Sequence, residues 1–232
     1  MKKLFCFAFL ALTIQICRAQ RVLPERGTFF CQLAYNRPID YAKPNRIDHG
    51  NITARFNSGF SSAIGIQIGN NVAFCPTLRY TYTSGKSYGD QYGHTYNKEY
   101  TSDFYLGRLN GELLIKKLIG QRKALSIGIG GMVGSMIYKN INGNYTYSGI
   151  TPTSNSTYVP VYENYTLPTS FFGTSHIGGV FDIAYVVKNS TKTQSCFSFG
   201  SRIAFIRGIM PWVKGHLETE VYATFHFWGK GA

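Results

Sequence analysis

After residue 16 the sequence contains no apolar run approaching the roughly 20 residues that a membrane-crossing helix needs. Hydrophobic residues still make up 44% of the chain and aromatics 16%, so any passage through lipid has to be made by strands. Acidic residues are few: 11 Asp and Glu stand against 24 Lys and Arg, a formal charge of +13. Cysteine is sparse as well. Of five cysteines, Cys6 and Cys17 fall in a removable leader, which leaves Cys31, Cys75 and Cys196. This odd, sparse set is not a disulfide framework, though it leaves room for one pair, and it has no metal-ligand spacing; the three are read as small packing residues. No charge block, linker or capped helix-period stretch divides the chain, which is therefore read as all-β and as one domain.

The first residues have the build of an export signal. Met1, Lys2 and Lys3 supply a charged start. Leu4 to Ile16 form an apolar stretch too short to span a bilayer, and Cys17-Arg18-Ala19 a small-residue cleavage site before Gln20. Residues 1–19 are expected to be a signal peptide and residues 20–232 a β-barrel domain. Loss of Lys2, Lys3 and Arg18 leaves a charge of +10. On an exported chain that basic surface favours outer-membrane lipids and lipopolysaccharide phosphates as partners, not nucleic acid.

Period-two alternation dominates the remainder. Leu125, Ile127, Ile129, Val133 and Ile137 share one parity, with Ala124, Ser126, Gly128, Gly130 and Gly134 on the other. Val72, Phe74, Leu78, Tyr80 and Tyr82 oppose Ala73, Cys75, Thr77, Arg79 and Thr81. Leu217, Val221, Ala223, Phe225 and Phe227 oppose Glu218, Glu220, Tyr222, Thr224 and His226. The pattern predicts strands over about 27–37, 51–69, 72–84, 100–119, 124–140, 170–188, 195–210 and 215–228. Pro76 is an awkward residue for a closed ladder.

Connections alternate in length. Segments 38–50, 85–99 and 141–169 are long, whereas 69–71, 120–123 and 189–194 are short. With both termini on one side, the long segments fall on the other side and every short turn on the side of the termini, with the outer connection Pro211 to Lys214 as the one short exception. Outer-membrane barrels have this asymmetry, with short periplasmic turns and long outer loops.

On these features, and on the Gly-rich alternation Ser126-Ile127-Gly128-Ile129-Gly130-Gly131 and the strand-turn-strand Ile64 to Tyr82, the chain resembles the small outer-membrane β-barrel family, the OmpA/OmpX-like group of Bacteroidetes-type bacteria. The resemblance implies an eight-stranded antiparallel up-and-down transmembrane β-barrel in the bacterial outer membrane. It also implies insertion by the outer-membrane assembly machinery, which the alternating apolar residues Val221, Phe225, Phe227 and Trp228 of the last strand suit.

If the greasy faces meet lipid, Arg79, Arg108, Glu112, His176, Asp182, Arg202, Glu218, Glu220 and His226 face the lumen. An eight-stranded barrel is just wide enough for side chains, so these mixed charges are expected to form a packed polar core of structural role. No cofactor is expected. The expected function is a non-enzymatic integral membrane protein with a structural or surface-interaction role, with an extracellular ligand at its Tyr/Asn-rich outer loops. The alternatives are a narrow porin-like or ligand-binding barrel, an outer-membrane lipid-modifying enzyme built on Ser175–His176 or His94–Thr95, and a soluble exported β-sandwich. Adjacent strand residues point to opposite faces, which speaks against both pairs.

Overall fold

The computed structural model describes residues 27–39, 46–47, 50–69, 71–92, 96–119, 124–150, 158–165, 173–190, 195–209 and 215–227. The expected signal peptide lies outside them. The described residues form eleven strands: β1 Thr28–Ile39, β2 Arg46–Ile47, β3 Gly50–Phe56, β4 Gly59–Gln67, β5 Val72–Tyr92, β6 Tyr96–Ile119, β7 Leu125–Ile150, β8 Tyr158–Tyr165, β9 Ser175–Ser190, β10 Ser195–Arg207 and β11 His216–Phe227.

Eight of these close a ring. β1 pairs with β4 on one side and β11 on the other, and β4, β5, β6, β7, β9, β10 and β11 follow as successive antiparallel neighbours. Ring order equals chain order, so the barrel is up-and-down and has no free edge along its wall. That closure excludes the sandwich. Short turns and both ends of the ring lie at one end of the barrel. Gly69, at a φ of 109°, supplies the left-handed residue the β4–β5 turn requires.

Two segments read from sequence as long loops are largely strand. β5 and β6 stay paired out to Tyr92↔Asn97, and β6 and β7 to Tyr96↔Gly149. β3 joins the free flank of β5, and β8 that of β7. A sheet in the order β2-β3-β5-β6-β7-β8 therefore projects from the end opposite the turns. The expected strand 51–69 is likewise two strands, broken at Asn57–Ser58, where the Asn57 amide donates to Ser84 O at 2.7 Å.

A bulge corrects the parity of β7. Gly107 pairs with Tyr138, but Arg108 pairs with Met136, leaving Ile137 as an extra residue. Beyond it the facing reverses: Ile137 and Tyr138 both point outward, and Ile141 turns inward and is buried. Pro76 sits outward on β5 where the β4–β5 pairing lapses between Gly65↔Thr77 and the bridge Ile68↔Phe74. Its missing N–H falls beside that gap. Gly65 opposite has no room for a side chain, since a Cβ would lie 2.5 Å from the Phe30 ring and 2.6 Å from Pro76 O.

The distribution of polarity is inverted relative to a water-soluble protein. Leu33, Ile129, Val133, Ile177 and Val221 are each more than 60% exposed on the outside of the ring. Arg79, Arg108, Asp182, Arg202, Glu218 and Glu220 are all at most 3% exposed within it. The outward band is bounded at the projecting-sheet end by tyrosines. Tyr82, Gly107 and Tyr138 lie in one cross-strand row, and the Tyr80 hydroxyl and Tyr138 Cβ are each 3.0 Å from where Gly107 would carry a Cβ.

Candidate functional site

The charged lumen is the concentrated polar chemistry of the described residues, and alternation on five strands builds it. Arg79 comes from β5, Arg108 and Glu112 from β6, His176 and Asp182 from β9, Arg202 from β10, and Glu218, Glu220 and His226 from β11. All nine point into the barrel and are buried.

At mid-height four of them form a closed ion-pair ring. Arg79 Nε donates to Glu112 Oε1 at 3.1 Å and Arg79 Nη1 to Glu220 Oε2 at 3.0 Å. Arg202 Nη2 donates to the same Glu112 oxygen at 2.7 Å and Arg202 Nη1 to the same Glu220 oxygen at 3.2 Å. β5 and β6 stand diametrically opposite β10 and β11 in the ring of eight strands, so two of these four contacts cross the lumen. Ser61 and Gln32 extend the ring: Arg79 donates to both, Ser61 Oγ donates to Glu220 Oε1 at 3.1 Å, and Gln32 Nε2 to Thr224 Oγ1 at 3.1 Å.

Toward the turn end, Asp182 accepts from the Tyr222 hydroxyl at 2.6 Å and pairs with the Lys116 ammonium at 2.7 Å. Toward the other end, Arg108 pairs with Glu218, which also accepts from His216 Nε2 at 2.9 Å. His176 Nε2 lies 2.5 Å from Asn110 Oδ1. Phe56, brought in by β3, closes that end by stacking on His216 with centroids 4.9 Å apart and meeting Phe104 edge-on at 5.1 Å.

Four cations (Arg79, Arg108, Arg202 and Lys116) thus face four anions (Glu112, Asp182, Glu218 and Glu220) in this buried set. Paired charge of this kind avoids the several kcal/mol per ion that unpaired burial costs. Lys116, His216, Asn110, Gln32 and Ser61 are members that the sequence reading does not assign. Lys116 shares parity with Glu112, and His216 with Glu218, which was the available signal. Not all polar atoms find protein partners: the Asn36 amide, Thr83 Oγ1, Glu112 Oε2, Arg202 Nε, and Arg108 Nε and Nη1 have none among the described residues.

The lumen at the turn end narrows to a cavity of about 20 Å³ lined by residues including Gln32, Lys116, Tyr222 and His226, room for roughly one water molecule. Beside it Ser198 Oγ lies 3.2 Å from His226 Nε2. His226 Nδ1 has no partner among the described residues, so nothing orients that ring as a general base, and no substrate fits the cavity. Ser175 is exposed outside while His176 is buried inside; His94 and Thr95 lie outside the described residues. The sequence is expected to hold no G-x-S-x-G lipase motif, yet Gly85-Lys86-Ser87-Tyr88-Gly89 has that spacing; it lies mid-strand in β5 with Ser87 Oγ 2.6 Å from Ser102 Oγ, and not at the strand-to-helix turn a nucleophile elbow needs. Among the described residues no group of three His, Cys, Asp or Glu side chains is placed to hold a metal.

No protein-family model matches the chain, and no curated protein matches it. Solved structures do. Neisserial surface protein A is similar over 86% of this chain and 96% of its own, at 14% identity and a TM-score of 0.37. The outer membrane protein OprG from Pseudomonas aeruginosa is similar over 88% of this chain and 98% of its own, at 12% identity and a TM-score of 0.38. The same organism's OccK11 follows at 8% identity and a TM-score of 0.19, over 90% of this chain and 98% of its own. Likeness at this level does not transfer a function.

Proposed function

We propose that this chain is an integral outer-membrane β-barrel of structural or surface-interaction role, embedded in lipid through its outward apolar band and closed to solute flow by its ion-paired lumen. The inverted polarity carries the reading. Aliphatic and aromatic side chains on an exposed face need an apolar solvent, and a tyrosine girdle suits the boundary of such a solvent with water. Membership of the OmpA/OmpX-like group accords with eight strands in up-and-down order. The packed lumen favours this reading over a porin-like one, and the projecting sheet β2-β3-β5-β6-β7-β8 is the surface offered to outside partners, in the place of flexible outer loops.

Membrane fractionation tests it. The protein should remain in the sarkosyl-insoluble fraction and migrate differently in SDS gels before and after boiling. Folding in plain buffer, without lipid or detergent, would overturn the proposal.

A further inference from the structure

We infer that Arg55 on β3 and Lys86 on β5 form a binding site for a phosphate group carried on an outer-leaflet lipid headgroup. The inference rests on the membrane reading above and adds a ligand class and an address to it.

The two residues are direct cross-strand partners. Phe56 turns inward onto His216 and Phe104, so alternation sends Arg55 outward, on the same face as Lys86, and both are exposed. Directly opposed side chains of an antiparallel pair have Cβ atoms about 5 Å apart, and like charges so placed repel. One carboxylate stands nearby: Asp103, the partner of Lys86 on β6, with Oδ1 3.8 Å from Lys86 Nζ. Among the described residues no carboxylate lies at ion-pair distance from Arg55. Two cations against one exposed anion leave a net positive row. A phosphate bridging guanidinium and ammonium would relieve the repulsion through charge-assisted hydrogen bonds.

Position selects a lipid as the carrier. Lys86 lies two outward positions beyond Tyr82 on the same strand, about 13 Å along it, on the far side of the tyrosine row from the aliphatic band. Long cationic side chains at that place reach back toward headgroup phosphates. Beneath the pair the wall is apolar, with Phe60 stacked on Tyr82 at 5.3 Å and Leu78 below, the surface along which acyl chains of the same lipid would lie. β3 is what completes the pair. Without it Lys86 would face only Asp103.

The test uses the full mature chain in lipid nanodiscs, with a phosphorylated glycolipid as probe and retained lipid counted by native mass spectrometry. Arg55→Gln and Lys86→Gln should each weaken retention roughly fivefold, the usual effect of one cation near an anionic surface. Asp103→Asn should strengthen it, and Arg37→Gln, an exposed cation on β1, should leave it unchanged. The dephosphorylated glycolipid should not be retained. Equal retention by the wild type and the double variant Arg55→Gln/Lys86→Gln, both showing heat-modifiable migration, would overturn the site. Displacement of the glycolipid by millimolar inorganic phosphate would overturn its assignment to a lipid. Failure of the wild type to enter nanodiscs would instead overturn the membrane reading.

Discussion

Arg202 on β10 and Glu112 on β6 meet across the lumen at 2.7 Å, tying opposite walls of the barrel together through the same carboxylate oxygen that Arg79 uses. A barrel of this width is held from inside by such bonds as well as by its ladder.

Removing one member of that ring should therefore cost more than removing a balanced pair. Arg202→Leu leaves Glu112 and Glu220 sharing Arg79 alone and should destabilise the barrel by about 3–5 kcal/mol. Arg202→Leu combined with Glu220→Leu leaves Arg79–Glu112 as an intact pair, and should cost less than the single change. Urea unfolding in lipid vesicles measures both. A double variant whose loss equals the sum of the two singles would show that the ring is not a coupled unit.

The outward face makes a depth-dependent prediction. Ile129 lies mid-strand in the apolar band and Ile137 beside the tyrosine row. Ile129→Arg should cost roughly 2–4 kcal/mol of folding free energy in bilayers, and Ile137→Arg about 0–1. Equal penalties in vesicle folding assays would contradict a lipid-facing band.

Deleting Ile137 should be tolerated better than deleting a paired residue of the same strand. Without the extra residue Tyr138 follows Met136 directly, as their partners Gly107 and Arg108 follow one another on β6, so Tyr138 stays outside and Ile141 inside. Deleting Val133 instead shifts the residues up to the bulge by one position and turns Met136 out of the interior, which should destabilise by at least about 2 kcal/mol, the scale of losing a large buried aliphatic side chain. Urea midpoints compare the two. A loss as large for the Ile137 deletion as for the Val133 deletion would show that Ile137 is not the extra residue.

Orientation is checked by thiol labelling of intact cells in a Cys31→Ser background, which removes the exposed cysteine of the wall. Tyr88→Cys, on the projecting sheet, should react with a membrane-impermeant maleimide, and Asn71→Cys, at a short turn, should react only after the cells are opened. The reverse order would invert the topology.

How far the sequence discloses this structure depends on contrast between faces. Where one parity is greasy and the other small or polar, as from Val72 to Tyr82 or Leu125 to Val133, period two can be counted directly. From Ser84 to Gly89 both faces are polar or glycine. The contrast disappears while the ladder continues, and the segment reads as loop. The bulge at Ile137 is invisible for a related reason: parity counting assumes unbroken register, so it places Ile141 outside. In the lumen, facing is legible and pairing is not. Asp182 has Arg202 as its neighbour in the ladder, yet its carboxylate goes to Lys116 and Tyr222, because partners inside a closed ring are chosen across the lumen as well as along the wall.

β7 runs unbroken for 26 residues, roughly 85 Å at the rise of a strand, while the hydrocarbon layer such a strand crosses is only about 25 Å tall. With the barrel in a bilayer as proposed, even at a tilt near 40° more than half of its height would stand clear of the lipid. β5, β6 and β7 run from the wall into the projecting sheet with continuous pairing, interrupted by the one-residue bulge at Ile137, so the sheet is a mast stepped on one side of the rim. In the membrane setting proposed above, whatever it presents is carried past the headgroups. A pull on its tip would be delivered along continuous strands to the ion-paired ring at mid-height.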